Sequence, residues 1–279
     1  MEKLKITSIG VILIVLCFYI TNQTIIMFKE KDPLMQTIKE EKNQYEQLPE
    51  NAEIIGNTII VGKKGQTIDY NKTYYKMKKY ASYNEALIET KEVKPTISIE
   101  NYYDKYIVRG NKSKKEIAFV FPIREDKELP ITEKVLKSKD VPGTFFLDGT
   151  VLESNTKRIK SNNVHEFEVL SYNNSYQESF LKTSFSYLEI MTKKSPKYCY
   201  TEEDNEELLK LCSKKKLHTI KPSYIIKKDL YMTIKQKIAN SLIISIEVNN
   251  KNIKELSMTI DYVREKGYNL VILEELLKE

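Results

Sequence analysis

A chain of 279 residues holds one or two domains, and a hydrophobic share of 41% suffices for a real core. Charged residues make up 30% and leave a formal net charge of +6, with lysine spread along the chain. A spread excess marks a solvated surface that also favours anionic lipid or wall polymer, and it carries no nucleic-acid signature.

Residues 1–5 form a short basic-leaning flank, and residues 6–28 carry no charge. A helix needs roughly 20 apolar residues to cross a bilayer. Thr21, Asn22, Gln23 and Thr24 interrupt the apolar run, but no small-x-small cleavage motif follows it. Leu16 precedes Cys17, where a lipoprotein signal has a small residue. Residues 1–28 are therefore read as a single-pass transmembrane anchor or uncleaved signal, with the bulk of the chain on the extracytoplasmic side of the cell membrane. Lys3 and Lys5 agree with the positive-inside tendency, and Lys29 and Lys31 weaken the asymmetry.

Residues 29–50 are highly charged and punctuated by Pro33 and Pro49, which reads as a stalk, partly helical over 34–47. Residues 51–113 read as a small β-rich unit. Two apolar runs flank Gly56-Asn57, a hairpin signal. Tyr74, Met77 and Lys78 sit at helical spacing within 71–80, and 95–99 alternates like a strand. Residues 106–108, the turn at 109–112 and the run 117–121 predict a strand–turn–strand.

Beyond Glu116, strands predicted at 117–121, 143–147, 165–170, 197–200, 217–220, 241–248 and 269–273 alternate with helices. The helices are expected at 131–137, 151–160, 177–193, 202–214, 231–237 and 253–266. This alternation argues for a parallel sheet covered by helices, as an open or closed (β/α) barrel. Cys199 precedes the fourth helix and Cys212 lies near its end, so helical residues separate them. They either form a disulfide, to which chain entropy assigns about 3 kcal/mol, or remain two partly buried thiols. Two sulfurs without further nearby ligands do not make a zinc site.

Two ordered segments carry a family likeness. Lys114-Lys115-Glu116-Ile117-Ala118-Phe119-Val120-Phe121-Pro122-Ile123-Arg124-Glu125-Asp126 is a basic lead-in, a buried strand and a sharp stop. Val141-Pro142-Gly143-Thr144-Phe145-Phe146-Leu147-Asp148-Gly149 is a second apolar strand ending in a glycine turn. This layout resembles the start of a polysaccharide deacetylase (NodB-homology) domain, which reads lysine, apolar run, T-F-D-D-G, then A-T-F-F-V-x-G. The closing segment 260–276, in which a helix ends at Gly267 and a strand follows, is also similar. The resemblance implies an α/β fold: a distorted (β/α) barrel of the NodB type over 114–279. The transmembrane helix, the charged stalk and the small β-rich unit would precede it.

The family, as the resemblance implies, hydrolyses N-acetyl groups of chitin-like polymers or peptidoglycan. A divalent metal such as zinc is held by one aspartate and two histidines. A second aspartate is the general base and a distant histidine the general acid. In this chain the two aspartate positions fall on Pro122 and Ile123. The histidine box falls on 163–174, where His165-Glu166 matches the non-ligand pair and the ligand positions are Leu170 and Asn174. The loop Ser195-Pro196-Lys197-Tyr198 lacks the family's arginine. The last strand, 241–248, lacks its histidine and has Glu247 as the only ionisable side chain near its end. The mechanism needs three histidines, and the chain has His165 and His218.

The expectation is a membrane-anchored, extracytoplasmic deacetylase-like protein that is catalytically inactive and uses no metal cofactor. It would bind cell-wall glycan or an envelope assembly partner. The alternative is a metal-dependent carbohydrate N-deacetylase with a relocated site built from Glu125, Asp126, His165 and Glu247. No P-loop, dinucleotide fingerprint, G-x-S-x-G or C-x-x-C offers a competing chemistry.

Overall fold

The computed structural model describes residues 2–160, 164–173 and 175–279. The elements in chain order begin with α1 (Glu2–Lys31), α2 (Pro33–Glu40), β1 (Glu53–Ile55), β2 (Thr58–Ile60), β3 (Gly65–Ile68), α3 (Tyr70–Lys78) and β4 (Thr90–Val93). Next come β5 (Tyr106–Arg109), β6 (Glu116–Ile123), α4 (Glu128–Ser138), β7 (Thr144–Asp148), α5 (Gly149–Ser154), α6 (Thr156–Lys160), β8 (Glu166–Ser171) and α7 (Glu178–Thr192). The chain closes with β9 (Tyr198–Tyr200), α8 (Glu206–Lys214), β10 (His218–Ile220), β11 (Tyr224–Ile226), α9 (Leu230–Lys237), β12 (Leu242–Ile246), α10 (Asn250–Glu265), β13 (Asn269–Val271) and α11 (Leu273–Leu276).

The residues fall into two compact units. The first combines Met1–Pro49 with Lys64–Val93, and the second combines Glu50–Lys63 with Lys94–Glu279. This division differs from boundaries at 50 and 113. Residues 29–49 are not only a stalk: Met35 and Ile38, one helical turn apart on α2, are fully buried against Ile68, Tyr74 and Met77. The strands at 53–60 and 106–109 join the large sheet of the second unit instead of forming a unit of their own. Within α1, the stretch Val11–Lys31 is long and apolar enough to cross a membrane, and its side chains are unburied. Such a helix is compatible with membrane anchoring.

In the second unit, β6, β7 and β8 pair in parallel, and β12 and β13 both pair in parallel with β6. β11 runs parallel to β12, and β9, β10 and β5 form a further parallel series. Alternation along the strands separates two cores. Ile117, Phe119, Phe121 and Ile123 face the helices, packing with Leu129 and Leu136 of α4 and Leu256 and Ile260 of α10. Ala118 and Val120 point the other way, into an interior shared with Phe146, Leu170, Tyr198, Tyr200, Ile220 and Ile243. Burying each such side chain is worth about 1.5–3 kcal/mol. The β/α alternation expected from the sequence is that of the molecule.

The ring is not joined by a backbone ladder between β8 and β9. A side chain bridges them instead. The buried carboxylate of Glu168 accepts the Lys197 N–H at 3.1 Å and the Tyr198 N–H at 3.3 Å.

Three local expectations are corrected. Residues 95–99 are not a strand, because the Ser98 hydroxyl accepts the Glu100 N–H and starts a short 3-10 turn at Ile99–Asn101. β5 and β6 do not form a hairpin, because β12 lies between them, with Leu242 opposite Arg109 and Ile117. The Arg109 guanidinium fixes that insertion by donating to the Asn240 carbonyl at 2.6 and 2.8 Å. β11 has no counterpart in the sequence prediction.

Gly56-Asn57 does turn β1 into β2, with Gly56 at φ +58°, a conformation that needs glycine in so tight a turn. Cys199 and Cys212 are bonded and tie β9 to α8 across a Cα–Cα distance of 6.4 Å. Cys199→Ser is therefore expected to lower stability by about 2–4 kcal/mol. Denaturant midpoints with and without reductant check this: the variant should lose all sensitivity to reductant.

Candidate functional site

In a parallel α/β barrel the chemistry sits where the strands end, because the loops there can vary without disturbing the core. Those ends carry Pro122, Arg124, Asp148, Leu170, Tyr200, Glu202, Ser245 and Glu247, and of these Leu170 and Tyr200 pack in the interior core. Tyr200 and Ser245 form the floor, their hydroxyls bonded at 2.7 Å and buried. Above them Arg124 reaches Glu202 at 3.6 Å, and Lys227 reaches the other oxygen of Glu202 at 3.4 Å. Tyr176 packs against Arg124. Burial pushes its phenol up, and the Arg124 charge and hydrogen bond oppose that.

Asp148 links two strand ends. Its carboxylate accepts the Ser171 hydroxyl at 2.6 Å, the Asn173 N–H at 2.9 Å, and both the N–H and the hydroxyl of Thr150. It thus caps the start of α5 and ties β7 to β8. Gly149 must follow it, because a Cβ there would stand 2.1 Å from the Tyr172 ring.

The family's metal does not fit the residues present. Ile123 is fully buried among the helix-facing side chains, and β6 continues through it. Leu170 fills the barrel interior beside Phe146 and Tyr200. Pro122 is buried and offers no ligand atom. Asn174 lies outside the described residues. Among the described residues, no group of three or more His, Cys, Asp or Glu side chains is placed to hold a metal ion.

The other predicted groove residues separate. Glu125 pairs with Lys127 at 2.6 Å on the loop after β6. Asp126 accepts from Ser154 and Asn155, which anchors that loop to the end of α5. Glu247, at the end of β12, accepts from Asn249 at 3.3 Å. All three belong to the strand-end loops. His165 does not. The register sets Ile123 level with Leu147 and Val169, four residues beyond His165, or about 13 Å along the strand. His165 accepts the Gly143 N–H at 3.2 Å, meets the Phe145 ring edge-on, and is held below the ordinary imidazole range by burial.

At that opposite end a cavity of about 290 Å³ is lined by His165, Glu166, Glu168, Lys194, Lys197 and Glu274, among others. Burial raises Glu166 above the usual carboxylate range, against the Thr144 hydroxyl that donates to it at 2.6 Å. The cavity lies at the strand starts, away from the family's reaction centre.

His218 is structural too. It stacks on Tyr103 at 4.3 Å, its Nδ1 is buried without a partner, and desolvation pushes it down to about 4. Because the folded state disfavours the imidazolium, stability should fall as pH drops from 6.5 to about 4 and then level off. His218→Phe, which keeps the stack but cannot titrate, is expected to remove about 2 kcal/mol of that loss after allowance for partial exposure. Thermal melts of both proteins at pH 7.5 and 4 would measure it.

The residues that sequence reasoning missed here are Arg124, Asp148, Tyr176 and Glu202. Only Asp148 carried a local signal, as an acid before glycine at a strand end, which is the pattern of a helix N-cap.

No protein-family model matches the chain. It is 25% identical over 287 residues to the uncharacterized protein YlxY of Bacillus subtilis (strain 168), covering 92% of this chain and 88% of that one. Among solved structures it is similar to BA3943 of Bacillus anthracis, a family 4 carbohydrate esterase (CE4) pseudoenzyme. The TM-score is 0.68 at 24% identity, covering 89% of this chain and 96% of that one. A mutant of BA3943 with restored enzymatic activity superposes equally well, at a TM-score of 0.68. The family 4 esterase PdaA of Bacillus subtilis is similar at a TM-score of 0.55 and 20% identity, over 64% of this chain and 86% of that one. With the alternating strands, the two-layer core and the loops at the strand ends all in place, this chain has the fold of the family 4 carbohydrate esterases, the NodB-type polysaccharide deacetylases.

Proposed function

We propose that the chain is a degenerate polysaccharide deacetylase, anchored in the cell membrane by α1, that binds cell-wall glycan at the strand-end mouth without hydrolysing it. The observation that carries this reading is the packing of Ile123 and Leu170, at two metal-ligand positions, into two separate apolar cores. What remains at the mouth suits sugar. Arg124, Glu202 and Lys227 offer donors and acceptors for hydroxyl and acetamido groups, and the half-buried Tyr176 beside Arg124 offers a ring for stacking. The bonded pair Cys199–Cys212 fits an extracytoplasmic, oxidising compartment.

The test uses the full chain in detergent, with metal content and chitooligosaccharide binding measured on one preparation. Saturable binding without stoichiometric metal, weakened about tenfold or more by Glu202→Ala through loss of a charge-assisted contact, is the expected result. Stoichiometric zinc with deacetylation abolished by Glu125→Ala would establish the relocated hydrolase site instead. Neither metal nor sugar would make the occupant of the mouth an envelope protein.

A further inference from the structure

The last turn of α1 fixes a height. Apolar side chains remain exposed up to Phe28, and the first lysines follow at Lys29 and Lys31. In a membrane spanned by α1, the hydrocarbon therefore ends at Phe28 and the headgroup layer begins at Lys29. At that height the Lys29 ammonium meets the Asn71 carboxamide oxygen at 2.5 Å and stands 6.0 Å from the centre of the Tyr75 ring. Asn71 and Tyr75 lie on α3, which is held in place by Asp32. The Asp32 carboxylate accepts the Tyr74 hydroxyl at 2.8 Å and pairs with Lys78 at 2.5 Å.

Lys72, Tyr75, Lys76 and Lys79 follow one another at i, i+3, i+4 and i+7, so the first three share one face of α3, which Lys79 continues as the C-cap in helical conformation. Together with Asn71 they line one open cavity of about 300 Å³. Two of the lysines have acidic neighbours: Lys72 approaches Asp69 at 3.8 Å and Lys76 pairs with Glu89. Neither is withdrawn from solvent, since the Lys72 side chain is 71% exposed, that of Lys76 is 51% exposed, and Tyr75 is 55% exposed.

We propose that this face of α3 docks on the anionic phosphate headgroups of the membrane that α1 spans, with Lys72, Lys76 and Lys79 over the phosphates and Tyr75 at interface depth. The inference rests on the reading of α1 as a membrane anchor. Lysine is drawn to an anionic lipid surface over roughly one Debye length, and tyrosine favours the boundary where its ring is dry and its hydroxyl wet. The Lys29 contacts hold the face within that range. The first unit would then be pinned to the membrane at a second place beside its anchor.

The test reconstitutes the full chain into vesicles of phosphatidylcholine alone or mixed with phosphatidylglycerol. A membrane-impermeant reagent labels the amines, and mass spectrometry reads each lysine. Labelling of Lys72, Lys76 and Lys79 should be about fivefold slower in the anionic vesicles, and high salt should abolish the difference. A chain that stays in alkali-washed vesicles but labels equally in both lipids overturns the docking and leaves the anchor standing. A chain that alkali strips from the vesicles overturns the anchor, and the docking falls with it. A second readout exploits the absence of tryptophan. Tyr75→Trp places one indole on the face, and lipids bearing a headgroup nitroxide should quench it in anionic vesicles. An unquenched indole there would overturn the docking.

Discussion

Ile123→Asp is expected to destabilise the chain by about 3–5 kcal/mol at neutral pH, because it puts a charge without a partner into a dry, close-packed layer. Ile123 is fully buried with Leu129, Phe121 and Leu136 around it. The new carboxyl would be forced toward its neutral form, so the cost should shrink as pH falls from the raised folded-state value toward the unfolded value of about 4. Denaturation of wild type and variant at pH 7.5 and pH 4.5 separates this outcome from the opposite one. A mere vacancy at a surviving metal centre would tolerate the aspartate, and added zinc would raise the melting temperature. The distinction bears on whether a metal site could be built here. A site lacking only its ligands can be refitted, whereas here Ile123 and Leu170 are part of two apolar cores. Introducing Pro122→Asp and Ile123→Asp together is accordingly expected to yield no zinc binding, even though a mutant of the similar BA3943 has restored enzymatic activity.

The second large effect concerns the junction of β8 and β9. Glu168→Ala is expected to cost about 2–4 kcal/mol, since it strands the buried N–H of Tyr198 and removes the acceptor of the part-buried Lys197 N–H. Glu168→Gln should behave differently. Burial, reinforced by the nearby charge of Glu166, holds Glu168 well above the usual carboxylate range. The folded state favours the protonated acid, so the group's contribution is full below about pH 4.5 and is lost as pH rises through the elevated value. Glutamine retains an acceptor oxygen and cannot ionise. The Glu168→Gln variant should therefore gain on wild type as pH rises, and melts from pH 5 to pH 9 would show it. This slope is opposite in sign to the one expected from His218, so the two variants can be told apart by pH alone.

How far the sequence exposed this structure depended on range. The runs at 117–121 and 143–147 gave β6 and β7 because continuous apolar residues bounded by turns have few other solutions. Gly56-Asn57 gave its hairpin for equally local reasons. α2 reads as spacer in the sequence because its two buried residues, Met35 and Ile38, are sparse among charges and find their partners across the chain in Ile68, Tyr74 and Met77. β11 is three residues long, too short to show a period. The insertion of β12 between β5 and β6 depends on contacts more than 120 residues apart, such as Arg109 with Asn240. At the mouth, motif order placed Pro122, Ile123 and Leu170 where the strands end. His165 fell in the same motif but at the other end of its strand, and only the register could reveal that.

The bond between Cys199 and Cys212 encloses an exposed loop that includes Glu203 and Asp204. A protease reaching that loop would cut the polypeptide yet release nothing, because both new ends stay tethered through sulfur. Tyr200 and the α8 helix, which lie on opposite sides of the cut, would keep their places in the two cores. A nicked molecule would run as one band on a non-reducing gel and as two after reduction, and before reduction it would still carry the mouth.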